Sequence, residues 1–206
     1  DIIIWNEADQ AIIVNCRASE RNFEQFKNTI TFDPPESALD QLLKSVRPHQ
    51  WLKNLLVFIP LILSHQMLNI DLISVLLITF ISFSLCASSV YLMNDLFDLA
   101  HDRSHLTKFT RPFASGNLPI LFGLIAGPCL FLLGTIIALY LPINFLIIFF
   151  AYGLINFSYS FYLKRFFMLD VFILAFLYTL RIIAGAESIE LQATYWLLGF
   201  SFSLFF

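Results

Sequence analysis

Over most of this chain apolar residues come in long unbroken blocks and do not alternate with polar ones. Residues 72–93, 118–141, 143–163 and 169–186 are each close to the roughly 20 residues that carry a helix across a bilayer, and only Asp170, at the edge of the last, and Arg181 are charged inside them. Residues 52–63 form a shorter block, interrupted by Lys53 and carrying Pro60, and read as the apolar part of a longer helix that starts near Leu39. A sixth helix begins near Ala193. Before residue 39 the pattern changes. Ala11-Ile12-Ile13-Val14 reads as a buried strand, followed by a stretch rich in Arg, Glu, Asn and Gln and then by Asp33-Pro34-Pro35-Glu36. This predicts soluble protein joined by a linker to a membrane bundle. The strand is too short to fold alone, so its partner strands are expected before Asp1. The predicted fold class is an all-α membrane protein, a transmembrane helical bundle over residues 39–206, with a short α/β remnant over residues 1–33.

Composition agrees. Hydrophobic residues make up 58% of the chain and charged residues 13%, against roughly 25% charged in ordinary soluble domains. The net charge of −3 decides little, and no nucleic-acid partner is expected. Its distribution decides more. Lys44, Arg47 and Lys53 lie at the start of the first helix, Arg103, Lys108 and Arg111 follow the second, and Lys164 and Arg165 follow the fourth; the intervening loops 64–71, 141–144 and 185–194 contain no Lys or Arg. The positive-inside rule places the basic loops in the cytoplasm. Cys16, Cys86 and Cys129 have no paired or metal-like spacing and read as packing residues. Gly123 and Gly127, four apart, let another helix approach closely, within the bundle or from a second copy. Because the chain opens on Asp1 and stops at Phe206 inside an apolar run, it is expected to be a piece of a longer protein.

Candidate chemistry begins with Asn94-Asp95-Leu96-Phe97-Asp98-Leu99-Ala100-His101-Asp102, at the end of the second helix. At about 100° per residue, Asp95, Asp98 and Asp102 fall within about 60° of one another, with Asn94 on the same side. Crowded carboxylates repel unless a cation separates them, and hard oxygen ligands suit Mg2+, which typically takes one or two carboxylates plus substrate phosphates. A Mg2+-diphosphate is the natural ligand; a solvated helix end is the plain alternative. Arg103, His105, Lys108 and Arg111 come next within a polar loop, where Lys and Arg suit phosphate oxygens or, alternatively, lipid headgroups.

Two further clusters share this character. On an α-helix Arg47, Gln50, Lys53 and Asn54 form one polar face, with Trp51 at headgroup level; snorkelling cations beside an interfacial Trp are the alternative. Tyr159 precedes Lys164 and Arg165, and Asp170 and Arg181, eleven residues apart, share a helix face with Arg181 roughly 16 Å deeper. That Arg is expected to meet a phosphate or a carboxylate inside the bundle. Asn156 and Ser158 read as interhelical hydrogen-bonding groups.

Taken together, these three clusters resemble the UbiA superfamily of intramembrane transferases. Asn94-Asp95-x-x-Asp98-x-x-x-Asp102 looks like its first Asp-rich motif, and Arg103, His105, Lys108, Arg111, Pro112, Ala114, Ser115 and Gly116 match the family's loop after that motif. Arg47-Pro48-x-Gln50-Trp51-x-Lys53-Asn54, Tyr159-Ser160-x-x-Leu163-Lys164-Arg165, Leu169-Asp170 and Leu180-Arg181 look most like the decaprenyl-phosphate phosphoribosyltransferase branch. Leu106 departs from the pattern, where a Pro is usual. Asp1 to Asn15 is similar to the end of a haloacid-dehalogenase-like phosphatase domain, in which Asp1 corresponds to the last metal-binding Asp.

The resemblance implies a nine-helix fold, Mg2+ bound by Asp95, Asp98 and Asp102, and a polyprenyl substrate. It thereby implies a Mg2+-dependent transferase of the bacterial inner membrane, its site facing the cytoplasm, that moves 5-phosphoribosyl from phosphoribosyl diphosphate to a polyprenyl phosphate among membrane lipids. Prenyl transfer from a polyprenyl diphosphate to an aromatic acceptor is the alternative enzyme, and a transporter or lipid-binding protein the alternative class.

Overall fold

A computed structural model of the chain describes residues 11–14, 29–32, 37–162 and 167–206. Asp1, the linker around Pro34 and Pro35, and the pair Lys164 and Arg165 lie outside the described residues.

Two short strands, β1 (Ala11–Val14) and β2 (Thr29–Phe32), pair in parallel with Ala11 opposite Thr29. This corrects the expectation that the partners of β1 all precede Asp1. Thr29-Ile30-Thr31-Phe32 is short, but every residue in it is β-branched or aromatic, the types that favour strands.

The bundle follows. Helix α1 (Ala38–Val46) is capped by the Ser37 hydroxyl, which accepts from the Asp40 amide, and ends at Arg47, whose φ of 55° is left-handed. Pro48 explains the stop, because a residue before proline is disfavoured in the α conformation. The expected continuous helix from Leu39 is therefore broken. The chain resumes as a 3₁₀ helix (Pro48–Phe58) and passes into α2 (Ile59–Leu63). Eleven residues is long for 3₁₀ geometry, which usually lasts about three or four. Its threefold repeat sorts the side chains into three ridges. Asn54, Val57 and Pro60 are buried and Trp51 partly so; His49, Leu52 and Leu55 are exposed; Gln50 and Lys53 share the third.

Helices α3 (Ile70–Phe97), α5 (Ile120–Ala138), α6 (Ile143–Phe161) and α7 (Phe167–Ser188) are each long and apolar enough to span a membrane. They are close to the four blocks read from the pattern. Asn69 caps α3 by accepting from the amides of Asp71 and Leu72. At 28 residues α3 is about 42 Å long, more than the ~30 Å hydrocarbon layer, so the turn carrying Asn94 and Asp95 can reach water. Helix α4 (Leu99–Ser104) follows after a break at Asp98, and α8 (Tyr195–Phe205) closes the described chain.

Small residues let α5 approach α3 closely. A Cβ on Gly127 would lie 3.0 Å from the Met93 sulfur, and one on Gly134 3.1 Å from the Ser82 carbonyl oxygen. Ser82 Oγ in turn donates to the Gly134 carbonyl. The glycines of α5 thus serve packing against α3 within the chain. Phe83 of α3 forms the centre of the main core with Phe145, Phe149 and Tyr152 of α6, at ring separations of 4.7 to 5.9 Å. This interleaving fixes α6 against α3 and aims the polar edge of α6 at the same end of the bundle as Asp95.

Candidate functional site

Two polar stripes and one mixed helix face meet at that end. On α3, Ser84, Ser88, Tyr91 and Asp95 recur at helical spacing; on α6, Tyr152, Asn156 and Tyr159 do so; on α7, Asp170, Leu174, Leu177 and Arg181. With the 3₁₀ helix they enclose a cleft of about 230 Å3. Its basic wall is Arg47, Lys53 and Arg181; Tyr91, Asn94, Asn156, Tyr159, Ser160 and Tyr178 supply neutral polar groups. No carboxylate lines it among the described residues.

Arg181 is 6% exposed. Its Nε donates to Asn54 Oδ1 at 2.9 Å, its Nη2 to the Tyr152 hydroxyl at 2.8 Å and its Nη1 to the Leu177 carbonyl at 2.9 Å. The guanidinium also lies 5.0 and 5.1 Å from the Tyr152 and Tyr178 ring centroids. All these partners are neutral, so a full positive charge faces the cleft without a carboxylate partner among the described residues. Asn54 is held by its own donation to Ser84 Oγ.

The acidic motif sits beside this wall. Arg47 Nη2 reaches both oxygens of Asp95, at 2.7 and 2.9 Å. Arg111 Nη1 contacts Asp102 Oδ2 at 2.6 Å and Asp95 Oδ1 at 3.2 Å. Asp95 and Asp102 are 3% and 1% exposed, and Asp102 Oδ1 is buried with no hydrogen-bond partner.

Several sequence expectations change here. Among the described residues no three Asp, Glu, His or Cys side chains converge as a metal-binding group. The chain bends at Asp98, where α3 ends and α4 begins, so the face drawn for one continuous helix is divided. Asn54 lies on the inner ridge with Val57 and Pro60, while Lys53 lies on another ridge about 120° away. Trp51 turns inward as well and donates to Ser88 Oγ at 2.9 Å. Gln50 lies outside the cleft wall. Asp170 accepts from the Tyr159 hydroxyl and orients it. Arg103, in α4, and His105 and Lys108, in the α4–α5 loop, do not line the cleft; the Thr107 amide donates to His105 Nδ1. Sequence reasoning missed Tyr91, Tyr152 and Tyr178; the stripe 152, 156, 159 and the Tyr178–Arg181 pair at i, i+3 are the signals that could have found them.

An apolar groove of about 420 Å3, lined by Met93, Pro128, Phe131, Phe150, Gly153 and Phe157 among others, lies between α3, α5 and α6. Helix α3 separates it from the polar cleft, because Met93 and Asn94 point about 100° apart.

These features define a polytopic helical membrane protein with a cation-lined cleft at one end of its bundle. Residues 55–206 match the UbiA prenyltransferase family, and the chain belongs to that family. The decaprenyl-phosphate phosphoribosyltransferase of Mycolicibacterium smegmatis is 34% identical over 82% of the chain and 54% of its own length. Nodulation protein NoeC of Azorhizobium caulinodans is 36% identical over 77% of the chain and 51% of its own length. The chain spans about half the length of these curated relatives. Among solved structures, a digeranylgeranylglyceryl phosphate synthase matches with a TM-score of 0.66 at 21% identity over 80% of this chain and 57% of its own. An Archaeoglobus fulgidus UbiA homologue bound to DMAPP and Mg2+ matches with a TM-score of 0.64 at 19% identity over 80% and 59%. Both share the fold of this bundle.

Proposed function

We propose that this chain belongs to a Mg2+-dependent intramembrane transferase that moves 5-phosphoribosyl from phosphoribosyl diphosphate to a polyprenyl phosphate. The observation that carries this reading is the cleft wall, with Arg47, Lys53 and Arg181 together and no carboxylate among the described lining residues. Arg47 is paired with Asp95, but Lys53 and Arg181 have no carboxylate partner among the described residues and suit two anionic substrates. A neutral aromatic acceptor leaves Arg181 with nothing to neutralise. Relatives named decaprenyl-phosphate phosphoribosyltransferase, at 30–34% identity, support the same transferred group and acceptor class.

Mg2+ needs only one or two carboxylates when substrate phosphates complete its shell, and the residues fit an ion held in that way without a converging group of three. Asp95 and Asp102 converge on a single cationic nitrogen, and the orphaned Asp102 Oδ1 is a spare ligand. We assign these two carboxylates, with Asp98 at the bend, to Mg2+. Bound with the donor, the ion supplies charge neutralisation of the departing diphosphate. Lys53 and Arg47 hold the diphosphate at the rim, and Arg181 holds the acceptor phosphate deeper in. A phosphate oxygen of the acceptor forms the bond to ribose C1 as the bond from C1 to diphosphate breaks, so no strong general base is required. Tyr159, oriented by Asp170, and Asn94 are placed to hydrogen-bond the ribose.

The distribution of basic loops supports a site on the cytoplasmic side, in the reading proposed here that of a bacterial inner membrane. Residues 1–33 read as the tail of a haloacid-dehalogenase-like domain, a reading supported by the parallel pairing of β1 and β2. Full-length protein in membranes, given labelled phosphoribosyl diphosphate and polyprenyl phosphate, is expected to make a labelled lipid only when Mg2+ is present. No labelled lipid, with transfer of a prenyl group to an aromatic acceptor in its place, overturns this reading in favour of the chemistry suggested by the DMAPP- and GPP-bound archaeal homologue.

A further inference from the structure

Asp95 and Asp102 come from two different helices, α3 and α4, and both are buried. Two buried anions this close repel unless a cation separates them. Here the separating cation is a side chain. Arg111 Nη1 stands 2.6 Å from one carboxylate and 3.2 Å from the other, at the point where they converge. Asp95 fills its remaining capacity with Arg47. Asp102 does not, because its Oδ1 has no partner. A buried acceptor left unpaired is costly in a resting protein; it is an available ligand to an ion.

The geometry favours exchange. Magnesium–oxygen distances are about 2.0–2.1 Å, so an ion at the place of the nitrogen needs Asp102 to approach by about 0.5 Å and Asp95 by about 1 Å. Side-chain rotation covers both. A guanidinium and a divalent ion cannot share that point. Arg111 has a way out: its side chain is 25% exposed, it sits in a loop just after the Lys108–Thr110 turn, and its side-chain hydrogen bonds among the described residues go only to these two carboxylates.

We infer that Arg111 is the resting counter-ion of the metal site. It pairs Asp95 with Asp102 before the ion arrives, yields its place to Mg2+, and then offers its bidentate fork to the diphosphate that accompanies the ion. Arg47 cannot take this role, since of the two carboxylates it contacts only Asp95. The inference rests on the assignment of Asp95 and Asp102 to the metal.

Full-length protein in lipid nanodiscs, titrated with Mn2+ and followed by electron paramagnetic resonance without substrate, tests it. In Arg111→Gln the Mn2+ affinity is expected to tighten by roughly tenfold, the order that results from removing a competing charge-assisted contact. An unchanged or weaker affinity overturns the exchange. Wild-type protein provides a readout independent of that variant's folding. Modification of Arg111 by phenylglyoxal, mapped by mass spectrometry, is expected to run several-fold faster with Mn2+ and to slow again when inorganic diphosphate is added with the ion. A rate insensitive to Mn2+ overturns the proposal. If Asp95→Asn and Asp102→Asn leave Mn2+ affinity unchanged, the metal assignment itself fails; if they abolish binding while both Arg111 readouts stay flat, only the exchange fails.

Discussion

Arg181 Nε donates to Asn54 Oδ1 at 2.9 Å, joining residues 127 positions apart in the chain. Asn54 presents its oxygen because its amide nitrogen is committed to Ser84, so one small side chain ties the 3₁₀ helix to both α3 and α7. Asn54→Ala is expected to cost about 1–3 kcal/mol, the range for a buried partner left unsatisfied. Thermal unfolding of the purified protein in detergent measures it. A melting curve identical to wild type means that Arg181 is held by Tyr152 and Leu177 alone.

Lys53→Met and Arg181→Met separate rim from floor. Loss of a charge-assisted phosphate contact, worth about 1.5–3 kcal/mol, predicts a rise of roughly ten- to a hundredfold in the apparent KM for phosphoribosyl diphosphate with Lys53→Met. For Arg181→Met the larger effect is expected on the polyprenyl phosphate. Calorimetric titration of folded variants with each substrate reads this directly, and unchanged affinity in both removes the phosphate role.

The two ends of the acidic motif differ in their surroundings, so their variants are expected to differ. Asp98→Asn should abolish transfer with little change in melting temperature, because Asp98 is at the helix break and only partly buried. Asp95→Asn should abolish transfer and also lower stability, since two guanidiniums lose their shared anion. The loss should fall below the ~3–5 kcal/mol of a fully buried pair, because Arg47 and Arg111 keep 22% and 25% exposure. Normal turnover of either variant at limiting Mg2+ contradicts the metal assignment.

Gly185 tests the close approach of the 3₁₀ helix to α7. A Cβ there would lie 2.0 Å from the Val57 carbonyl oxygen, and backbone cannot rotate away as a side chain can. Gly185→Ala is expected to cost at least the ~1–3 kcal/mol of core overpacking and to weaken substrate binding by shifting Lys53. Gly199→Ala, where nothing lies within 4 Å, is the matched control. Equal melting temperatures for the two variants contradict the packing described.

Loop charge sets an orientation that is open to labelling. A cysteine at exposed Gln66 or Gln192 is expected to react with impermeant reagents only from the side opposite the acidic motif. Gln66 is preferable to Asn69, whose side chain caps α3. Reaction from the cytoplasmic side alone contradicts both the orientation and the location of the site.

The sequence by itself determined the membrane class, the four spans, the alternation of basic loops and the identity of most polar residues that gather at one end of the bundle. Those properties are local: hydropathy over about twenty residues and spacing along one helix suffice to read them. Tertiary structure alone decided which groups meet. Spacing placed Asp95, Asp98 and Asp102 on one face, but a bend at Asp98 and two arginines from distant segments made Asp95 and Asp102 into an ion-paired cluster. Lys53 and Asn54 are neighbours in sequence, yet one lines the cleft and the other lies behind it, because Asn54 finds its partners on α3 and α7, Ser84 and Arg181, which only the fold brings to it. Arg181 was legible as a charge that needed company. Its company, Asn54 and Tyr152, comes from two other elements, and only the folded bundle brings their dipoles to a guanidinium in place of a carboxylate.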